Sequence, residues 1–253
     1  MNWKKLQKLS DDFILMDDGN GNQLIKSERF NFSVKIKKDG YIPRSGLLLI
    51  DCLNEFTVNG AILDIGTGET GILAHYMRAR GADKVVACDK DALAIKYIQD
   101  VSEDKNISWI ISDVFLNIKR YKFGCIVSNP PQMPMLVKNN LHDYGGHDGR
   151  DIILKIIKNA AHYLRLNGRL FMLCFDFLGL TERFNPKPSI SEIALNHNLT
   201  CKVIKKYQRR IRIGGKTEKN LPWIKKIYPK YKFKKFLSGD FYHNIFILEF
   251  RHQ

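Results

Sequence analysis

The stretch AILDIGTGETGILAHYMRARG, Ala61–Gly81, opens as a short apolar run, breaks into glycines and resumes with a helical apolar period. The run Ala61–Ile65 has the length of a buried strand. Gly66, Gly68 and Gly71 then satisfy G-x-G-x-x-G, and the helical period that follows closes at Gly81. Glycines at such a turn let the backbone bend tightly and come close to a ligand. A second apolar run, KVVACD, ends on Asp89, 18 residues after Gly71. An acid there accepts hydrogen bonds from ribose hydroxyls. On this loop alone a nicotinamide dinucleotide, S-adenosylmethionine and a plain tight turn between strand and helix are three open readings.

The pattern continues in both directions. Upstream, GYIPRSGLLLIDCLNEF (Gly40–Phe56) reads as a proline-bearing lead into a helix. Before it, a short helix-like start is followed by FILMDD and QLIKSERFNFSVKIKK, whose alternation reads as β-hairpin structure. Downstream, a second helix (Ala92–Asp104), strands at ISWIISD and FGCIVSN, and a long helix over Gly149–Gly168 alternate in order. A fifth strand (Arg169–Phe177) and a short helix capped by Ser189 or Ser191 come next. Two closing strands, Leu199–Ile213 and Phe241–Phe250, lack a helical crossover and so read as an antiparallel hairpin. The expected fold is α/β and Rossmann-like: a mostly parallel sheet, helices on both faces, an antiparallel closing strand. The expected organisation is an N-terminal helix and hairpin over 1–45, then one domain over 46–253 with a basic insertion at about 205–236.

Composition narrows the class. The chain is 44% hydrophobic and 26% charged, as a globular protein is. It contains no apolar run approaching the roughly 18 residues of a membrane helix, and no apolar stretch follows the basic start, so a cytoplasmic protein is expected. Its five cysteines form no C-x-x-C pair and read as buried free thiols. His142 and His147 lie near Asp143 and Asp148 without imposed ligand geometry, so no metal site is expected there. The net charge is +15, and Lys202–Lys235 alone holds 14 cations against the single acid Glu218. Tyr207, Trp223, Tyr228, Tyr231 and Phe233 interleave with them. Cations neutralise phosphates and aromatics stack on bases, so a nucleic acid or other anionic partner is one reading. A lysine-rich solvated loop with locally packed aromatics is the other.

Ligands of open parallel sheets gather at the carboxyl ends of the strands. Asp64, Asp89, Asp113 and Asn129 all fall there. A carboxylate at Asp64 can hold a cationic amino-acid group, whereas it would oppose a pyrophosphate. Asp113 is placed to receive an adenine amino group. The fourth strand leaves through CIVSNPPQMP, Cys125–Pro134, where two prolines stiffen an extended turn with Asn129 at its mouth.

This combination resembles the class I S-adenosylmethionine-dependent methyltransferases, over roughly Gly40 to the C-terminus. Asn129-Pro130-Pro131-Gln132 is similar to the Asn-Pro-Pro-(Tyr/Phe) motif of amino-group methyltransferases. Among these the release-factor glutamine (N5) methyltransferases are most alike, through Ile42-Pro43-Arg44, Ser128–Pro131 and YGGHDGRDII (Tyr144–Ile153). The resemblance implies S-adenosylmethionine as cofactor, held by Asp64, Gly66, Thr67, Gly68, Asp89, Asp113 and Asn129. It implies Asn129 and the Pro130 carbonyl as the catalytic pair, Pro131 and Gln132 as substrate-binding, and N-methylation without a metal. The side-chain oxygen of Asn129 and the Pro130 carbonyl would accept the hydrogens of an acceptor nitrogen and aim its lone pair. Gln132 departs from the aromatic of the family, which puts a stacked base and a release-factor glutamine equally in question. The forty residues ahead of Ile42 read as strand, so the family's helical recognition domain is expected to be missing or replaced. The acceptor therefore stays open between a protein glutamine, an RNA base and a small amine. A nicotinamide oxidoreductase, lacking a Tyr-x-x-x-Lys, and a non-catalytic RNA-binding protein are the competing classes.

Overall fold

The computed structural model describes residues 4–17, 19, 21–38, 40–138 and 142–253. The chain divides into two compact units, Met1–Asn129 and Pro130–Gln253.

The first unit opens with an antiparallel meander of β1 (Lys4–Lys8), β2 (Ile14–Asp17), β3 (Asn22–Ser27) and β4 (Phe32–Lys37), in that order. The helix-like start is thus corrected: Lys4–Lys8 is a strand. Pairing with β2 supplies its backbone hydrogen bonds, and a register shift between Lys5 and Gln7 lets Leu9 turn inward while Leu6 stays exposed. Strand β4 alternates strictly, burying Phe32, Val34 and Ile36. Phe30 and Phe32 meet Tyr76 edge-on, with ring centroids 6.2 and 5.5 Å away, a favourable aromatic geometry.

The rest of this unit is strand–helix alternation: α1 (Arg44–Leu53), β5 (Ile62–Ile65), α2 (Ile72–Ala79), β6 (Val85–Asp89), α3 (Ala92–Val101), β7 (Ile107–Ile111) and β8 (Phe123–Ser128). The four strands are parallel in the order β8-β5-β6-β7. All four residues of β5 are buried, as expected of a central parallel strand. Asp91 caps α3 by accepting from the Leu93 and Ala94 amides. Gly71 opens α2 at φ 53°, and a Cβ there would lie 2.6 Å from the Trp109 ring. Gly71→Ala is therefore expected to lower stability by about 1–3 kcal/mol through overpacking and positive-φ strain, read as a fall in melting temperature.

The second unit holds α4 (Asp151–Tyr163), β9 (Leu164–Phe175), a 3₁₀ turn at Asp176–Leu178, α5 (Ile190–Leu195), β10 (Leu199–Arg210), α6 (Lys216–Lys219), α7 (Leu221–Ile227), β11 (Lys234–Lys235) and β12 (Phe241–His252). Strand β12 pairs antiparallel with β9, β10 and the short β11. The closing hairpin β10–β12 is as expected. The long helix does not run to Gly168: it ends at Tyr163, and Leu164 is already extended. The apolar set Ile153, Ile156, Ile157, Ala160 continues to Leu164 at helical spacing, so periodicity alone cannot locate that end. Ser189, not Ser191, caps α5, in a full capping box with Glu192.

Candidate active site

The carboxyl ends of the parallel strands of the first unit align. Ile65 is registered with Ser128 on one side and Cys88 on the other, and Asp89 with Ile111. Asp89, Asp113, Asn129 and the glycine loop therefore follow the strands along one edge, with Asp64 one residue inside it.

The loop is held by backbone bonds. The amides of Gly66 and Thr67 donate to the Cys88 carbonyl at 2.8 and 3.0 Å. Gly66 and Gly68 take φ 77° and 62°, and an added Cβ at either would meet nothing within 4 Å. The left-handed backbone, not crowding, demands glycine there, and the space in front of the loop is open. The Gly68 amide donates to Asp89 Oδ2, and the Asp91 amide to Asp89 Oδ1, both at 2.9 Å. Each carboxylate oxygen has further acceptor capacity, so Asp89 is fixed in place and still able to take hydroxyl hydrogens.

Asp64 is fully buried. Its Oδ2 accepts from Thr67 Oγ1 at 2.7 Å and the Ala74 amide at 3.2 Å, while Oδ1 has no protein partner. Thr67 thus acts by orienting Asp64. Burial, opposed by the Thr67 and Ala74 bonds and aided by Asp89, pushes the Asp64 carboxyl up to about 7. A folded value above the unfolded one means the native state holds the proton longer. Stability is then lost as pH rises from the ordinary aspartate range through about 7. The native protein is expected to lose stability relative to Asp64→Asn across that interval, measured by denaturant titration at stepped pH.

Asp113 stands exposed just past β7. Beside it the buried Ser112 donates from Oγ to the Val114 carbonyl at 3.1 Å, and its amide donates to the Asp89 carbonyl at 2.8 Å. Val114 takes φ 56°, which for a β-branched residue stores about 1–3 kcal/mol of strain. Ser128 Oγ donates to the Ile65 carbonyl at 2.8 Å, tying β8 to the root of the glycine loop. Asn129 lies against the first turn of α1: a Cβ on Gly46 would come 3.5 Å from its Nδ2. Glu69, inside the glycine loop, accepts the Tyr41 amide and so tethers the Ile42-Pro43-Arg44 lead to that loop. Ser112, Glu69 and Gly46 carry no signal in the sequence beyond adjacency to the motifs, and the Glu69 partner Tyr41 is remote in the chain.

Pro130, Pro131 and Gln132 belong to the second unit. Gln132 is buried, and its amide is engaged with backbone: Nε2 donates to the Pro130 carbonyl at 3.2 Å and to the Leu173 carbonyl at 3.1 Å, and Oε1 accepts the Phe175 amide at 2.7 Å. Gln132, expected to bind substrate, has its side-chain amide engaged by backbone groups here. Its side chain fastens the Pro130 carbonyl to the end of β9. Gln132→Leu would leave the buried Phe175 amide unpaired, a loss of about 1–3 kcal/mol, expected as a lowered melting temperature.

The segment Tyr144–Ile153 braces the same turn. Met133 donates to the Asp143 carbonyl, and Gly145 donates back to Met133. A Cβ on Gly145 would fall 2.5 Å from Gln132 Cα, and one on Gly149 2.6 Å from the Gln132 carbonyl. These glycines let the two loops press together. No side-chain cap bond opens α4, and Asp148 accepts the Arg150 amide at 3.1 Å. Asp148 also pairs with Lys187 at 2.6 Å. Among the described residues no group of three histidines, cysteines or acids is placed to hold a metal, and no helix is long and apolar enough to cross a membrane.

The family model of the methyltransferase small domain matches residues 40–206, a span that includes every motif just described. The chain belongs to the methyltransferase small domain family. Among its relatives is “Putative protein N5-glutamine methyltransferase MJ0928” of Methanocaldococcus jannaschii, 30% identical over 60% of this chain and 80% of that protein. The release factor glutamine methyltransferase of Buchnera aphidicola is 33% identical over 59% of this chain and 60% of its own length. That of Thermodesulfovibrio yellowstonii is 26% identical, over 56% of this chain and 58% of its own. The chain thus spans less than two thirds of the release-factor enzymes it matches.

Structural likeness agrees on the fold. YcgJ of Bacillus subtilis superposes with a TM-score of 0.52 at 14% identity, covering 81% of this chain and 97% of YcgJ. Trm5b of Pyrococcus abyssi gives 0.52 at 15% identity over 98% of this chain and 62% of its own. The methyltransferase small domain protein has the class I methyltransferase fold, α/β with a mostly parallel sheet and an antiparallel closing strand. It is an S-adenosylmethionine-dependent methyltransferase. The residues fit that cofactor: open space before two left-handed glycines, an anchored Asp89, and an orphaned buried oxygen on Asp64.

Proposed function

We propose that the enzyme methylates an amide or amino nitrogen, and that a protein glutamine side chain is the acceptor. The observation that carries this reading is the Pro130 carbonyl, held by Gln132 Nε2 beside Asn129 in a turn stiffened by two prolines. The names of the relatives support the amide acceptor. S-adenosylmethionine supplies an electrophilic methyl group on a sulfonium. Asn129 Oδ1 and the Pro130 carbonyl accept the two hydrogens of the acceptor nitrogen, so that its lone pair points away from both. Fixing that orientation in advance removes several kcal/mol of barrier, up to about 7–11 in the ideal case. The same acceptors favour the positive charge that grows on nitrogen.

On the cofactor side Asp89 takes the ribose hydroxyls and Asp113 the adenine amino group, with Gly66 and Gly68 lining the approach. Asp64 Oδ1 faces the cationic amino group. A cation there draws the Asp64 carboxyl down from about 7, so binding releases a proton near neutral pH, seen as a buffer-dependent heat. The catalytic body is residues 46–253, with 1–45 added before it and the basic insertion at about 205–236. All five cysteines are unpaired, which supports work in the reducing cytoplasm.

The inward turn of Gln132 disfavours a nucleobase acceptor, since no aromatic follows the prolines to stack on a base. The test supplies labelled S-adenosylmethionine with recombinant release factors, with total RNA and with small amines. Methyl on a glutamine of a release factor, located by peptide mass spectrometry, is the expected result. Label confined to RNA or to small amines would sink the glutamine reading.

A further inference from the structure

The basic segment is an anchored body. Tyr228 is 1% exposed and donates its hydroxyl to the Asp148 carbonyl at 2.5 Å. Tyr231 donates to Asp176 Oδ1 at 2.7 Å, and its ring packs edge-on against Phe177, Phe184 and Phe233. Asp176 is held from its other oxygen by Asn244 Nδ2. Trp223 donates to the His147 carbonyl at 2.9 Å, with its ring 4.5 Å from the His147 ring. Four of the five aromatics that alternate with the cations, Trp223, Tyr228, Tyr231 and Phe233, are therefore committed to protein.

The cations are left outside. Lys219, Lys225, Lys230, Lys232 and Lys234 are exposed and have no acidic partner among the described residues. Lys202, Lys206 and Arg210 are exposed on β10, which among the described residues pairs only with β12. Lysines on an edge strand discourage edge-to-edge pairing, which accounts for β10 without a ligand. That explanation does not reach α7 or the turn after it. Nor does a solvated loop need two buried hydroxyl anchors and an indole bond to the chain.

We infer that this segment is a platform for the sugar-phosphate backbone of a nucleic acid, gripping by charge and not by base stacking. A dispersed array of single charges matches a polymer that repeats its charge every few ångströms. A protein partner would need a cluster of exposed aromatic or apolar anchors, and Tyr228, Tyr231 and Ile224 of the segment are turned inward. Two aliphatic side chains, Ile213 within the segment and Leu237 just after it, do stand fully exposed. They are too few for a membrane-seated face, and Ile224 of α7 is buried.

The test measures binding of the full chain to a labelled RNA duplex of about 20 base pairs, by anisotropy, between about 50 and 200 mM salt. Log affinity is expected to fall linearly with log salt, by about 0.9 per phosphate neutralised. The triple variant Lys225→Glu/Lys230→Glu/Lys232→Glu is expected to bind about tenfold or more weakly and to flatten the slope by about one for each phosphate it no longer neutralises. Its cofactor affinity and melting temperature, measured in parallel, establish that it is folded. Adenylate single strands are expected to bind no more tightly per charge than the duplex. Duplex DNA bound like RNA is the same chemistry and supports the platform. Three results would overturn it: affinity unmoved by the triple variant; polyglutamate bound as tightly as RNA; or phosphatidylserine vesicles preferred, with Ile213→Ser/Leu237→Ser abolishing that binding.

Discussion

Asn129→Ala is expected to reduce methyl transfer by about 10²–10³-fold, the usual effect of deleting one preorganised hydrogen-bonding group from a reacting centre. Cofactor affinity should change only a few-fold. The reasoning is geometric. Asn129 follows β8 directly and rests on the first turn of α1, where Gly46 leaves it room. Alanine there removes the side-chain acceptor, while the glycine loop, Asp64 and Asp89 stay as they are. Single-turnover rates with saturating S-adenosylmethionine separate the two effects. An unchanged rate would reduce Asn129-Pro130 to an ordinary turn. A lost rate with equally lost cofactor affinity would assign Asn129 to the cofactor alone. Asn129→Asp keeps an acceptor but adds charge, and is expected to retain more activity than alanine.

Asp89→Ala is expected to weaken S-adenosylmethionine binding by at least about 10²-fold, since hydrogen bonds to a charged group are worth about 1.5–3 kcal/mol each. Asp89 has two duties. Its oxygens hold the Gly68 and Asp91 amides at 2.9 Å, and they retain capacity for two hydroxyls. Losing it therefore removes ligand contacts and loosens the loop that shapes the site. Asp89→Asn separates these duties, because the amide oxygen keeps one of the two anchors. Calorimetric titration with S-adenosylmethionine and S-adenosylhomocysteine is the measurement. Wild-type affinity in Asp89→Ala would displace the ribose from this strand end.

The residues best read in advance were those whose role is local. Gly66, Gly68 and Gly71 announce a left-handed turn because other residues meet a steric penalty there, and all three have positive φ. The apolar runs of β5, β6 and β8 are too short and too uniform for an exposed helix. The closing hairpin followed from the missing crossover. Gln132 is the opposite case. Its neighbours in sequence place it at a turn, but its partners Leu173 and Phe175 lie some forty residues on. Nothing local tells an amide aimed at substrate from one aimed at a strand end. The aromatics of the basic segment pose the same problem: alternation with lysine is equally compatible with stacking on bases and with burial.

What the sequence by itself determined is the order of strands and helices from α1 to β10, the glycine turn and the placement of Asp64, Asp89, Asp113 and Asn129 at strand ends. These depend on backbone sterics and on short periods, which a chain carries within a few residues. Only the tertiary structure decided that Lys4–Lys8 joins a meander, that α4 stops at Tyr163, that Gln132 grips the Pro130 carbonyl, and that Tyr228 and Tyr231 face inward. Each of these is a choice between two partners for the same polar or apolar group. It is settled by which distant surface is there to satisfy that group once the chain has folded.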